Sequence, residues 1–244
     1  MRSRLDLLLV ARGLAPSRER ARALILAGQV RVGGQPATKA GVAVADDAEI
    51  ALAVPDHPYV SRGGLKLAHA LDAFAIDVAG ADALDIGAST GGFTDVLLQR
   101  GASRVVALDV GHGQLDWRLR TDPRVVVVEH VNARHLAADQ APGPFAVITI
   151  DVSFISLRQI LPVVPARLAA GGAVIALVKP QFEAGRGDVE RGGLVTDPAV
   201  HARVIEQVRD AARAVGLTPM ADTPSPITGA TGNQEFLLHL RGPR

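Results

Sequence analysis

The chain has 244 residues, room for one large domain or two, and its 48% hydrophobic and 21% charged residues are a globular balance rather than that of a disordered chain. It has no cysteine, which excludes disulfides, cysteine-ligated zinc, iron–sulfur clusters and a thiol nucleophile. No run approaches about eighteen apolar residues, and the charged opening Met1-Arg2-Ser3-Arg4 is followed by too short an apolar run for a signal peptide, so the sequence predicts a cytoplasmic protein without a membrane span.

The formal charge of +1 is unevenly spread. Residues 1–40 hold eight basic residues against Asp6 and Glu19, a formal +6, and the remainder carries −5. Such a front end reads either as a polyanion-binding module or as a solvated basic helix. Lysine stands only at Lys39, Lys66 and Lys179, against 23 arginines.

In chain order, residues 4–10 predict a short helix with Leu5, Leu8 and Leu9 on its apolar side, stopped by Gly13. A second helix, over roughly 17–28, starts at a Ser17 cap and turns Ala21, Leu24 and Ile25 inward; Arg18, Arg20 and Arg22 lie on its other faces. Short strands and turns follow to Ile50. Pro55-Asp56-His57-Pro58 reads as a linker, which divides the chain into a small α+β unit at 1–55, a linker at 56–60 and a body at 61–244. The body predicts a helix over 64–76 and then strands at 83–86, 105–109, 125–129, 145–151 and 173–178 with helical segments between, an α/β parallel sheet of Rossmann-like type. The apolar runs at 125–128 and 145–148 suit strands buried on both faces. Segments 216–222 and 235–241 read as an antiparallel pair at the sheet edge.

After the first strand of the body comes Asp85-Ile86-Gly87-Ala88-Ser89-Thr90-Gly91-Gly92-Phe93. Glycines let a backbone approach a ligand, and the helix start behind them offers free amide donors. Asp109 ends the next strand, where an acid can accept ribose hydroxyls of a nucleoside cofactor. The Gly-x-Gly-x-x-Gly spacing of dinucleotide sites is absent, and the loop instead resembles the S-adenosylmethionine loop of class I methyltransferases. Asp85, Gly87, Ala88, Ser89, Gly91, Gly92, Phe93 and Asp109 are the cofactor candidates. Asn132 follows the third strand and reads either as a contact to the adenine or as a helix cap. His112, His130 and His135 read as surface or structural histidines, and no metal-ligand cluster is evident.

Asp151 closes the fourth strand, Lys179 closes the fifth, Glu235 opens the last, and Lys66 lies near the start of the helix before the first. An open α/β sheet binds ligands at the carboxyl ends of its strands, so these four groups should share one cleft, either as salt bridges or as chemistry. They resemble the Lys-Asp-Lys-Glu tetrad of FtsJ-type ribose 2′-O-methyltransferases. The resemblance extends over the whole chain to the TlyA family, through Ser61-Arg62-Gly63-Gly64-Leu65-Lys66-Leu67, the 85–93 loop, Asp109-Val110-Gly111-His112-Gly113-Gln114-Leu115, Asp151-Val152-Ser153-Phe154-Ile155-Ser156, Lys179-Pro180-Gln181-Phe182-Glu183 and the 229–235 segment. Arg4-Leu5-Asp6, Gly13-Leu14, Ser17-Arg18, Ala21 and Gly28-x-Val30-x-Val32 resemble the small RNA-binding module of the S-four type.

The resemblance implies methylation of ribose 2′-hydroxyls, of cytidine, in ribosomal RNA, with ribosomal RNA or ribosomal subunits as partners. It makes Lys179 the candidate base and Lys66, Asp151 and Glu235 its companions, with Asp151 also facing the cofactor. With the basic front end read as the RNA-binding unit, Arg4, Arg18, Arg20 and Arg22 are the expected contacts to RNA phosphates. Family members also bear the name hemolysin, but no spanning or strongly amphipathic segment speaks for a pore. The alternatives are an RNA base methyltransferase and a ribosome-assembly factor. The first lacks both a cysteine nucleophile and a proline-containing loop at Asp151-Val152-Ser153-Phe154; the second leaves the cofactor loop without a purpose.

Overall fold

A computed structural model describes residues 2–15, 17–26, 28–52, 57–137 and 139–243; at Arg186 it describes the backbone alone. Contacts divide the chain into two compact units, Met1–Pro58 and Tyr59–Arg244. Part of the expected linker lies outside the described residues. Tyr59 and Val60 already pack on the second unit, where Val60 N–H donates to Asp95 Oδ2 at 2.8 Å, so the body begins two residues before the expected 61.

The first unit runs β1 (Arg2–Arg4), α1 (Leu5–Ala11), α2 (Arg18–Leu26), β2 (Val30–Val32), β3 (Gln35–Ala37), β4 (Ala43–Ala45) and β5 (Ile50–Leu52). Strand β1 pairs antiparallel with β4, and β2 pairs with both β3 and β5. Leu5, Leu9, Ala21, Ile25 and Val30 are fully buried between the two helices and the strands. The Ser17 cap forms as its spacing requires, Arg20 N–H donating to Ser17 Oγ at 3.1 Å.

The second unit runs α3 (Gly63–Ala73), β6 (Asp82–Ile86), α4 (Gly92–Gln99), β7 (Arg104–Leu108), α5 (Trp117–Arg120), β8 (Val125–Val128), β9 (Phe145–Ile150), β10 (Leu168–Val178), α6 (Pro180–Glu183), α7 (Pro198–Ala214), β11 (Thr218–Pro224) and β12 (Phe236–Arg241). Its seven-stranded sheet has the order β11-β12-β10-β9-β6-β7-β8. Strands β6 to β10 are mutually parallel; β12 runs antiparallel to β10, and β11 antiparallel to β12. Successive strand residues serve opposite faces, as a period of two demands. Ile148, Ile150, Val174 and Val178 join α7's Val204 and Val208 on one face, while Val147, Ile175 and Leu177 join Leu67, Leu71 and Val96 of α3 and α4 on the other. This is a Rossmann-like α/β architecture with an antiparallel pair at one edge.

Two expectations need correction. The run 125–128 is not buried on both faces: it is the edge strand β8, covered by a one-turn helix, and Val126 is 42% exposed. Among the described residues, the crossovers on either side of β9 are also not α-helical. They hold 3-10 turns at Ala133–His135 before β9 and at Leu157–Gln159, Leu161–Val163 and Pro165–Arg167 after it, where Pro162 and Pro165 remove the amide donors a longer helix needs.

Helix α3 meets its neighbours through glycine. A Cβ built on Gly64 would lie 2.5 Å from Tyr59 Cβ and Cγ. Gly64→Ala is expected to lower the stability of the body by about 1–3 kcal/mol, the scale of overpacking. Urea unfolding followed by circular dichroism checks it; an unchanged midpoint would show that Tyr59 moves aside freely.

Candidate active site and RNA-binding face

Backbone bonds bring the ends of β6, β7 and β9 to one edge. Gly87 N–H donates to Leu108 O at 2.8 Å and Asp151 N–H to Ile86 O at 2.9 Å. Gly87 has φ +88°, and a Cβ there would run into the Asp151 carbonyl, so only glycine lets this turn lie against β9.

Two cavities open at this edge, of about 650 and 630 Å³, and both are lined by Gly87, Ser89, Asp151, Ser153 and Phe154. Lys66, Asp151, Lys179 and Glu235 all line the first. They form two ion pairs. Lys66 Nζ lies 2.5 Å from Glu235 Oε2, across 169 positions of sequence, and Lys179 Nζ lies 2.6 Å from Asp151 Oδ1. The Lys179 contact to Oδ1 is off the hydrogen-bond direction; its aligned bond goes to Ser153 Oγ at 2.9 Å. Lys66, Lys179 and Glu235 are buried. Taking such charges out of water is costly, and ion pairing seldom repays that in stability.

The second cavity is lined by Asp109, Gln114 and Asn132. Asp109 accepts from Ser89 N–H at 2.8 Å and Gly111 N–H at 2.7 Å, which fixes its carboxylate at the rim. Asn132 lines the cavity, and its Oδ1 caps a 3-10 turn by accepting from Arg134 N–H at 3.1 Å. Of the glycine loop, Ala88, Gly92 and Phe93 line only the first cavity, and Gly91, which caps α4, lines neither. His112 and His130 are exposed and stack on each other with ring centroids 4.7 Å apart; His135 is exposed. Among the described residues, no group of three or more His, Asp or Glu could hold a metal ion.

Asp85 is not where a direct cofactor contact would need it. It is fully buried and lines neither cavity; Thr94 Oγ1 donates to it at 2.7 Å and Thr149 Oγ1 at 2.8 Å. It braces the loop from behind by tying the first turn of α4 to β9. The sequence shows an acid at the strand end but not which face it takes. Burial pushes this carboxyl up to about 6, against the two threonine hydrogen bonds.

The sequence singled out the tetrad but not its supports. Phe154 is 91% exposed at φ +64° and packs against Phe182 with ring centroids 5.3 Å apart. Glu183 accepts from Ser156 Oγ and Leu157 N–H, both at 2.6 Å, joining the loops after β9 and β10. Asn233 accepts from Val195 N–H at 2.9 Å and donates to Gly193 O at 2.8 Å. Their only signal is nearness in sequence to Asp151, Lys179 and Glu235.

In the first unit, two of the four expected RNA contacts are engaged by one acid. Arg4 and Arg18 both pair with the fully buried Asp6, at 2.9 and 3.0 Å, with side chains 47% and 54% exposed. Arg22 is exposed and Arg20 is half-buried. Arg4 and Arg18 are therefore fixed charges, and Arg22 faces solvent.

Because the folded Asp85 holds its proton to higher pH than the usual carboxylate near 3.9, the native state binds more protons between about pH 4 and 6. That contribution is fully present at low pH and is lost as pH rises through about 6. Asp85→Asn should flatten this fall and leave the variant more stable than the parent at neutral pH by about 1–3 kcal/mol, the scale of two pKa units. Urea unfolding of both proteins near pH 4.5 and 7.5 measures the difference, and equal slopes would contradict it.

Comparison with known proteins follows the same division. Residues 59–242 match the FtsJ-like methyltransferase family and residues 3–50 the S4 domain. The chain is 48% identical over 241 residues to the 16S/23S rRNA (cytidine-2′-O)-methyltransferase TlyA of Mycobacterium tuberculosis, covering 98% of this chain and 90% of that protein. It is 50% identical over 245 residues to YqxC of Bacillus subtilis, named as an rRNA methyltransferase, covering 99% and 86%. A solved structure of a hemolysin-named protein from Streptococcus thermophilus superposes with a TM-score of 0.78 at 44% identity, covering 99% and 89%. With the family model spanning most of the chain and these relatives nearly all of it, the chain belongs to the FtsJ-like methyltransferase family, in the TlyA branch that carries an N-terminal S4 domain.

Proposed function

We propose that the chain transfers a methyl group from S-adenosylmethionine to a ribose 2′-hydroxyl, of cytidine, in ribosomal RNA, with residues 1–55 binding the RNA and the body carrying out the transfer. The observation that supports it is the meeting of Lys66, Asp151, Lys179 and Glu235 in one cavity that shares its wall with the glycine-loop cavity. Ribosomal subunits are the partners and the cytoplasm the place of work. Among the described residues no helix is long and apolar enough to cross a membrane.

The glycine-loop cavity suits the cofactor. It is of ligand size, it has no Cβ at Gly87, and a fixed carboxylate, Asp109, stands at its rim. Asp109, Asn132, Gly87 and Ser89 would hold the nucleoside there. When bound, S-adenosylmethionine supplies an electrophilic methyl group and a positive charge on sulfur.

The rest falls to the chain's own groups. A ribose hydroxyl is a weak acid, so its proton must leave as the new C–O bond forms. Lys179 Nζ accepts that proton as the free amine. Asp151 orients Lys179 from 2.6 Å and, lining both cavities, also faces positive charge on the cofactor side. Lys66, fixed by Glu235, puts a positive charge in the same cavity, where it stabilises the oxygen as it gains negative charge. Phe154 and Phe182 offer ring faces on which a base turned out of its stack can rest.

Methyl transfer from radiolabelled cofactor to ribosomal RNA, with the label mapped, tests this reading; label on a base, or none at all, would falsify it. Lys179→Arg keeps the charge but cannot shed a proton, and should keep cofactor affinity while losing single-turnover methylation by on the order of 10²-fold. Near wild-type rates would reduce Lys179 to an ion-pair partner. Asp109→Ala should weaken S-adenosylmethionine binding by about 1.5–3 kcal/mol in calorimetry, as loss of charged hydrogen bonds does.

A further inference from the structure

The basic charge of the first unit has an internal organisation that its composition does not require. Asp6, in the first turn of α1, is fully buried. Its carboxylate accepts a two-pronged contact from Arg4, Nε to Oδ1 at 3.0 Å and Nη2 to Oδ2 at 2.9 Å. Arg18 Nε donates to the same Oδ2 at 3.0 Å, and Leu7 N–H donates to Oδ1 at 3.1 Å. The acceptor capacity of the carboxylate is filled. Hydrogen bonds from Arg4 foremost, and then from Arg18, hold this carboxyl well below the usual carboxylate range against the opposing effect of burial.

The two arginines come from different elements. Arg4 ends β1 and Arg18 opens α2, and one buried acid draws both guanidinium groups to a single place. Each guanidinium has five N–H donors, of which Asp6 uses two from Arg4 and one from Arg18. The remaining donors belong to side chains about half exposed. The three groups together carry one net positive charge. Their complement is a compact anion with several acceptor oxygens, and a backbone phosphodiester has that chemistry.

Resting on the reading of this unit as RNA-binding, we propose that Asp6 is a positioning residue for ribosomal RNA: it fixes Arg4 and Arg18 as a preformed seat of two guanidinium groups for one backbone phosphate. Fixing them in the free protein removes the ordering cost that two long side chains otherwise meet on binding.

This role and a diffuse-charge role predict opposite signs. Asp6→Asn makes the face more positive by one, so diffuse electrostatics predicts tighter RNA binding. Positioning predicts weaker binding despite the added charge. Filter binding of the full chain to purified ribosomal RNA between about 50 and 200 mM salt separates them. Asp6→Asn is expected to bind roughly five- to fifty-fold more weakly, the scale of freezing two rotamer-rich side chains, with S-adenosylmethionine affinity unchanged. Equal or tighter RNA binding overturns the proposal. Thermal melting followed by circular dichroism reports whether the Asn variant folds. Should it not fold, Arg18→Lys decides, because it keeps the charge and loses the planar fork: several-fold weaker binding at an unchanged salt slope supports positioning, and wild-type affinity overturns it. The combined Arg4→Ala and Arg18→Ala variant tests the underlying reading separately. If it binds RNA as the parent does, these arginines do not contact RNA at all, and that reading fails along with the proposal.

Discussion

The cleft depends on how closely the ends of β6 and β9 approach. Asp151 N–H bonds to Ile86 O, and the residue that follows Ile86 is a glycine whose missing Cβ leaves room for the Asp151 carbonyl. With the two strand ends in register, the Asp151 side chain lies in the wall between the two cavities. Any larger residue at Gly87 would push the loop from β9 and separate the carboxylate from the site it shares. The turn's positive φ and its close contact are thus one constraint, and both call for glycine.

The charges at this edge are expensive for the fold. Lys66, Lys179 and Glu235 are buried, and Asp85 lies fully buried behind them, held by two threonine hydroxyls. Buried ion pairs of this kind are often no more stable than apolar residues of the same volume. What offsets them is the sheet itself, with continuous apolar clusters on both faces built from alternate residues of the same strands. Rigid strands on a two-faced core then hold Asp151, Lys179 and Glu235 just beyond their ends, while Lys66 comes from the start of α3 and Asp85 sits inside β6. The composition agrees: in a chain of 23 arginines and three lysines, two of the lysines stand in this one cavity.

Strands and the convergence of the tetrad were legible because both follow from simple regularities. Apolar runs mark the strands, and in a parallel sheet the carboxyl ends share an edge. Which lysine pairs with which acid was not legible. Lys66 meets Glu235 across 169 positions only because β12 inserts antiparallel beside β10, and nothing local near either residue encodes that. The face that Asp85 takes was not legible for a related reason. A strand alternates its faces, so a neighbouring acid can turn to the ligand or behind the loop, and Thr94 and Thr149 draw it behind. The exposure of β8 depends on its place at the sheet edge, which an apolar run cannot reveal. Phe154 was passed over because its exposure comes from an unusual backbone conformation that ordinary residue preferences do not anticipate.

The two units also differ in how they manage charge. In the body, many arginines are neutralised close by: Arg100 by Asp72, Arg104 by Asp82, Arg118 by Asp116, Arg124 by Asp122 and Arg203 by Asp188. Such local pairs leave little field beyond a Debye length of about 8 Å at physiological salt. The first forty residues have too few acids for this, and Asp6 serves two arginines at once. Their surplus positive charge is therefore the part of the chain that a polyanion senses from a distance, and it weakens as salt rises. The body presents the opposite character at its cleft, with two lysines each already matched to an acid. Surplus positive charge thus gathers in the first unit, where one buried acid holds two exposed arginines, whereas the lysines of the body's cleft are buried and each matched to an acid.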